Sequence, residues 1–206
     1  MIFPIQFKIF LQISKDLFIE ISGKQKDWSD EISHREDLTL KASKVFGCNL
    51  PRFLRHPNLR MRDLSMLDLV KQVDEVIREC NPEIIYTHHI GDMNSDHAVT
   101  AEAVLTACRP RPDLSVSTIL AFEVPSSTEW SSPAVAPPFN PTYFVDISRH
   151  MEKKLIALKC YDFEMRSFPH PRSERGIKAL AEYRGSMVGK EFVEAYVVVR
   201  SIVSLD

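Results

Sequence analysis

Glycine is scarce in this sequence, with six residues in 206. No Gly-x-Gly-x-x-Gly motif occurs, so a glycine-rich loop that binds dinucleotide phosphates is not expected. The Gly-x-Ser-x-Gly motif is also absent, which argues against the serine hydrolases that use it. The candidate chemistry therefore lies elsewhere than in a phosphate loop or a nucleophilic serine.

Cysteine is also sparse, and its spacing excludes two further kinds of site. Cys48, Cys80, Cys108 and Cys160 lie far apart and form no Cys-x-x-Cys pair. Neither a zinc-thiolate site nor a disulfide framework is therefore predicted. A reducing, cytoplasmic environment fits this pattern best.

The sequence also has no large excess of positive or negative charge and no long hydrophobic run. The formal net charge is -2, so no nucleic acid or anionic membrane is expected as a partner. No run reaches the roughly 18 to 20 apolar residues that a membrane-spanning helix needs. With 44% hydrophobic residues, the chain can bury one substantial core. We predict one domain over residues 1–206.

The hydrophobic periodicity predicts an α/β fold with alternating elements. Apolar spacing predicts helices at 33–46, 65–80, 96–108, 151–165 and 174–185, and strands at 5–13, 17–21, 52–54, 84–86, 118–124 and 143–147. Residues 194–203 fit a closing strand or helix. A helix, a buried strand and a second helix in succession are typical of a parallel sheet covered on both faces. The segment 125–141, which contains several prolines, is predicted to be irregular.

The residues between the strand at 84–86 and the next helix carry the clearest chemical signal. His88, His89, Asp92, Asp96 and His97 lie within ten positions, and Gly91, Asp92 and Asn94 suit a turn. A neutral imidazole is a common zinc ligand, and a neighbouring carboxylate can orient it or transfer a proton. The alternative is that Asp96 only caps the helix and that His97 is a satisfied polar residue. Because neighbouring residues in a strand face opposite ways, at most one of His88 and His89 is expected to share a site with His97.

A second candidate lies in residues 168–173, where His170 stands between two prolines and precedes Arg172. A stiff loop that presents an imidazole and a guanidinium suits proton transfer or anion binding. A purely structural loop is the alternative.

Four segments together resemble the PIG-L/LmbE-like family of zinc-dependent de-N-acetylases. They are residues 82–97, 123–130, 144–148 and 168–173. The resemblance implies an α/β, Rossmann-like three-layer sandwich with a mainly parallel sheet. It also implies hydrolysis of N-acetyl groups from a small amino-sugar substrate, with zinc as the cofactor. Assembly into a homo-oligomer is compatible with it.

The same resemblance assigns the site residues. It implies His97 as the metal ligand and Asp96 and His170 as catalytic residues. His88, Asn94 and Arg172 are the expected substrate-binding residues. All six are predicted to surround one pocket at the carboxyl ends of the strands.

One family motif, Ala-His-Pro-Asp-Asp-Glu, does not occur in this sequence. In the family it provides two zinc ligands and the general base. Residues 1–32 resemble a divergent or truncated N-terminal part. The resemblance therefore predicts low deacetylase activity. The alternatives are a non-catalytic sugar-binding or regulatory module, or the product of a truncated gene.

Overall fold

The computed structural model describes residues 29–49, 51–56 and 58–203. Nine elements of regular secondary structure form its framework, namely α1 (Ser29–Phe46), α2 (Met66–Cys80), β1 (Ile84–His88), α3 (Ser95–Ala107), β2 (Thr118–Phe122), β3 (Tyr143–Asp146), α4 (Met151–Lys159), α5 (Glu174–Ser186) and β4 (Val193–Ser201). Two short 3₁₀ helices, Met61–Asp63 and Thr128–Trp130, lie in the connections. None of the described helices combines the length and apolarity that crossing a membrane requires.

The helix ends follow local sequence signals. Gly47 follows α1 with a φ of +72°, a left-handed conformation that glycine adopts without a steric penalty. Asn81 ends α2 in the same conformation, and its N–H donates to the carbonyl of Ile77. At the start of α3, the Asn94 side chain accepts a hydrogen bond from the Asp96 N–H, as an N-cap residue does.

The four described strands form one mixed sheet in the order β1-β2-β4-β3. The β1–β2 pairing is parallel, and both pairings of β4 are antiparallel. The α/β class is confirmed, and the prediction of a mainly parallel sheet is wrong. The closing strand β4 lies between β2 and β3 and runs antiparallel to both. Its valine-rich sequence does not indicate this direction. The three-layer arrangement stays a prediction.

Most predicted elements are present with shifted ends. The helix predicted at 151–165 ends at Lys159, and residues 194–203 form a strand rather than a helix. The predicted edge strand at 52–54 is wrong, since these residues have no regular structure. The strands predicted at 5–13 and 17–21 fall outside the described residues, as does most of the segment 1–32. Nothing tests the prediction of one domain over 1–206.

Two hydrophobic clusters stabilise the sheet and its helices. The larger one packs α2 and α3 against β1 and β2, and includes Met61, Val73, Ile85, Val104 and Ile119. The smaller one packs α4 and α5 next to β3, around Ile147, Leu155 and Ile177. The carboxyl ends of the parallel strands β1 and β2 meet at one edge of the sheet, as such strands must. The candidate site lies at that edge.

Candidate functional site at the carboxyl ends of β1 and β2

Asp92 and His97 form a buried pair in the connection between β1 and α3. His97 Nδ1 lies 3.0 Å from Asp92 Oδ1, and their side chains are 3% and 0% exposed. The Nδ1–H is not aligned for a hydrogen bond with any acceptor in the described residues, so the two groups are in close polar contact, and Nε2 lies on the far side of the imidazole. This is the arrangement in which a carboxylate orients a metal-binding or proton-accepting imidazole.

The Asp92 carboxylate is held from several sides. The Thr128 hydroxyl donates to Oδ2 at 2.7 Å, the Ser127 hydroxyl donates to Oδ1, and the backbone N–H of Asn94 donates to Oδ1 at 2.8 Å. Burial by itself would raise the pKa of Asp92. The close contact with His97 and the hydrogen bonds of the two hydroxyl groups outweigh burial and lower the pKa to about 2. Asp92 is therefore a fixed anion at neutral pH.

Asp96, predicted as catalytic, faces the segment that precedes α2. Its carboxylate accepts hydrogen bonds from the backbone N–H groups of Leu59 and Met61, and the residue is 0% exposed. Leu59 has a φ of +54°, a costly conformation for a residue with a side chain. In these contacts Asp96 fixes a strained backbone turn beside the site. Its catalytic role stays a prediction.

The two histidines at the end of β1 have different neighbours. The His88 ring stacks on the His97 ring, with centroids 4.1 Å apart and an interplanar angle of 16°. His89 instead contacts the Phe139 ring edge to face, and its Nδ1 accepts a hydrogen bond from the Gly91 N–H. Burial lowers the pKa of His89. The structure thus brings His88 and His97 together, and the substrate role of His88 stays a prediction.

The predicted residues of the 168–173 loop lie beside the second 3₁₀ helix. The His170 ring packs edge to face against Trp130, with centroids 6.1 Å apart, and its Nδ1 accepts a hydrogen bond from the Arg172 N–H. Arg172 forms a partly buried ion pair with Glu164. Because Nδ1 is an acceptor, the neutral His170 ring carries its proton on Nε2. The assignments of His170 and Arg172 stay predictions.

The segment predicted to be irregular covers one side of this site. Phe139 contacts His89, and a Cβ atom at Gly91 would lie 2.2 Å from the carbonyl oxygen of Pro137. Arg184 of α5 stacks over Phe139 and forms two hydrogen bonds of 2.8 and 2.7 Å with Glu123. These contacts join the ends of β1 and β2 to α5 through the proline-rich segment.

A groove of about 510 Å³ opens beside the site. It lies between the first 3₁₀ helix and the start of α3 and is lined by Met61, Arg62, Leu64, Met66, Ile90, Ala98, Val99 and Glu102. None of the six predicted site residues lines this groove. The prediction of one pocket around the 88–97 loop and His170 stays a prediction.

Sequence reasoning missed the part that Asp92, Ser127 and Thr128 take in holding His97. It treated Asp92 as a turn residue and looked to Asp96, the immediate neighbour, for the orienting carboxylate. Asp92 lies five positions before His97, so the contact depends on the shape of the turn. Ser127 and Thr128 belong to the segment 123–130 that the family resemblance includes, and this was the available signal.

A complete zinc site does not fit the residues that the structure describes. A hydrolytic zinc takes three protein ligands and a water molecule. His97 offers one suitably oriented nitrogen, yet no group of three or more His, Cys, Asp or Glu side chains in the described ranges is placed to hold a metal ion. The predicted metal role of His97 therefore rests on the family.

Comparisons with known proteins give a consistent family. The family model described as "PIG-L: GlcNAc-PI de-N-acetylase" matches residues 20–108. The uncharacterized deacetylase YaiS of Escherichia coli K12 is 30% identical over 137 residues, which cover 64% of this chain and 66% of YaiS. The match thus spans just under two thirds of YaiS. The predicted resemblance to the PIG-L/LmbE-like family is confirmed.

Solved structures with low sequence identity share the fold. The 4-carboxy-2-hydroxymuconate hydratase GalB of Pseudomonas putida KT2440 has a TM-score of 0.66 at 17% identity, over 90% of this chain and 79% of GalB. The N,N'-diacetylchitobiose deacetylase of Pyrococcus horikoshii has a TM-score of 0.65 at 15% identity, over 85% of this chain and 67% of that enzyme. A hydratase and a deacetylase on one fold show that the fold does not fix the reaction.

Proposed function

Because the chain resembles the PIG-L/LmbE-like family, we propose that it is a de-N-acetylase-type hydrolase of N-acetylated amino sugars with slow turnover. The observation that carries the proposal is the buried Asp92–His97 pair, which lies inside the segment matched by the family model. A histidine oriented by a carboxylate is more than helix capping requires, and it is what a hydrolytic site needs.

Two relatives support the amino-sugar class. The family model is described by the de-N-acetylation of GlcNAc-PI, and the Pyrococcus enzyme acts on N,N'-diacetylchitobiose. Both descriptions name an acetylated glucosamine unit. The hydratase GalB is the counterexample that makes a direct assay necessary.

The chain's own residues suit two parts of amide hydrolysis. His97 presents an Nε2 lone pair that a carboxylate holds in place, which suits a ligand or a proton acceptor. In its neutral form, His170 carries a proton on Nε2, because its Nδ1 accepts from the Arg172 N–H. Such a group can donate a proton to the departing amine nitrogen. The slow rate follows from the incomplete ligand set among the described residues.

The direct test is release of amine from methyl N-acetyl-β-glucosaminide by the full-length protein. Zinc content is measured on the same sample by plasma mass spectrometry. We expect zinc well below one ion per chain and a slow turnover that His97→Ala abolishes. His34→Ala, at an exposed position on α1, is the control and is expected to keep the activity. Equal turnover in His97→Ala and the wild type would contradict the proposal, and rapid turnover with stoichiometric zinc would contradict the slow rate.

A second function, a sugar-binding module without catalysis, is favoured by one observation. The described residues hold an oriented histidine without a metal-binding group of three ligands. In that case the sugar binds saturably, no amine is released, and His170→Ala weakens binding. Amine release that depends on His97 would exclude this function.

A further inference from the structure

Trp130 is a large apolar side chain that the fold leaves in solvent next to the candidate site. It is 55% exposed and ends the 3₁₀ helix Thr128–Trp130. One edge contact, with the His170 ring, holds the indole. Its place beside the candidate site leaves the exposed part of the indole available to a ligand.

The backbone that carries Trp130 is tied to the Asp92–His97 pair. Thr128 donates to Asp92 and accepts from the Val124 N–H, both at 2.7 Å. The Glu129 carboxylate accepts hydrogen bonds from the backbone N–H groups of Ser126 and Ser127. Two residues span at most about 7 Å of extended chain, so the Trp130 backbone lies within that distance of Thr128.

A polar ring packs against the indole, namely that of His170. Arg172 lies two positions further along the same loop, and its guanidinium pairs with Glu164. A pyranose ring has a matching surface, because one face presents C–H groups and its rim presents hydroxyls. The negative face of an aromatic ring attracts such C–H groups, and tryptophan offers a broad surface with only two rotatable bonds.

We propose that Trp130 is the stacking surface for the sugar ring of the substrate and so determines specificity for pyranosides over other N-acetyl compounds. The inference rests on the proposed acetylated amino-sugar substrate. Stacking on Trp130 would hold the ring between the 3₁₀ helix and the 168–173 loop. The Asp92 contact of Thr128 would keep that surface in register with His97.

Tryptophan fluorescence provides the first test, because the chain has only two tryptophans, Trp28 and Trp130. In the full-length Trp28→Phe variant, Trp130 is the single reporter. We expect a saturable change in emission with methyl N-acetyl-β-glucosaminide and none with N-acetylethanolamine, which carries the same amide without a sugar ring. Sugar binding that leaves the emission unchanged would overturn the proposal, and so would the absence of saturable sugar binding.

Calorimetric titration of matched variants provides the second test. Trp130→Ala should raise the Kd for the glycoside roughly tenfold, whereas Trp130→Phe should stay within about threefold, because a smaller aromatic ring still stacks. Ile156→Ala removes an equally exposed side chain, at 55%, from helix α4 and should leave the Kd unchanged. Equal Kd values for Trp130→Ala and Ile156→Ala would overturn the proposal.

The experiments distinguish failure of the stacking role from failure of the proposed hydrolase function. If no amine is released but Trp130→Ala still weakens binding selectively, hydrolysis is excluded and the stacking role stands. If amine is released and Trp130→Ala leaves KM unchanged, the hydrolase stands and the stacking role fails. A Trp130→Ala variant that keeps its sugar affinity but loses concentration-dependent self-association in sedimentation would also overturn the proposal, since the indole would then belong to a contact between copies.

Discussion

Two regions that contribute histidines to the candidate site differ in how they are built. The β1–α3 junction, residues 88–97, buries Asp92, Asp96 and His97 and gives each carboxylate several donors. The pre-α5 loop, residues 166–173, leaves Phe168 54% exposed and His170 partly exposed. Buried carboxylates with several donors keep one geometry, and exposed rings can meet a ligand. The junction thus holds its groups in fixed positions, whereas the pre-α5 loop presents its rings to a ligand.

The largest loss of stability is expected from removing Asp96, the junction carboxylate that accepts hydrogen bonds from backbone N–H groups. Asp96→Ala leaves the buried Met61 N–H and the part-buried Leu59 N–H without their acceptor, and should lower the free energy of unfolding by about 4 kcal/mol. Urea denaturation measures this loss. Asp37→Ala, on the exposed side of α1, is the control and should change it by less than about 0.5 kcal/mol. Similar values for the two variants would show that the junction is not rigidly held.

A smaller loss is expected where the junction meets the proline-rich segment. In Gly91→Ala the new methyl group would lie 2.2 Å from the Pro137 carbonyl oxygen, and relief requires the backbone to move. We expect a cost of about 3 kcal/mol, measured by urea denaturation. In Gly47→Ala the methyl group meets no atom within 4 Å, but φ is +72°, so the cost should be about 1 kcal/mol. A smaller loss for Gly91→Ala than for Gly47→Ala would contradict the close packing of the segment.

The junction should also contribute a pH-dependent term to stability. The pKa of Asp92 is about 2 when folded and near its usual 3.8 when unfolded, so its contribution is present above pH 4 and lost as the pH falls from about 4 to 2. The contribution is about 2 kcal/mol. Comparing urea denaturation of the wild type and Asp92→Asn between pH 6 and 2 should show a gap that closes on acidification. A gap that is constant with pH would contradict the assigned pKa.

The smallest effect is expected in the pre-α5 loop. Arg172→Met removes one partner of Glu164, but Arg35 still lies 3.4 Å from that carboxylate. Because the charge keeps a partner, we expect a loss of about 1 kcal/mol. Exposed Arg149→Met is the control and should be neutral. A loss in Arg172→Met as large as that in Asp96→Ala would remove the distinction between the two regions.

Local patterns predicted the helices and strands because their signals lie close together along the chain. Each signal involves residues that are neighbours in sequence. They are the apolar spacing at 65–80, the N-cap residue before α3 and the glycine after α1. The direction of β4 was not predicted, because a run of valines is compatible with a parallel or an antiparallel neighbour. The edge strand at 52–54 failed for a related reason, since a short apolar run carries no information about a partner strand.

For the candidate site, too, the sequence predicted the local clusters but not the contacts between distant residues. The sequence identified the cluster of His and Asp residues at 88–97 and the loop around His170, and it identified the family through their motifs. It did not identify which carboxylate faces which group. Asp96, adjacent to His97 in sequence, bonds to the amides of Leu59 and Met61, whereas Asp92 approaches the imidazole.

The sequence by itself determined the α/β class, the resemblance to the family and the position of the His and Asp cluster. Periodicity, capping and contiguous motifs are local properties of the chain. The tertiary structure alone decided that Asp92 orients His97, that Ser127 and Thr128 hold Asp92, and that Trp130 stands exposed against His170. These contacts arise because the parallel strands β1 and β2 end at the same edge of the sheet, which brings together loops that are 35 residues apart in sequence.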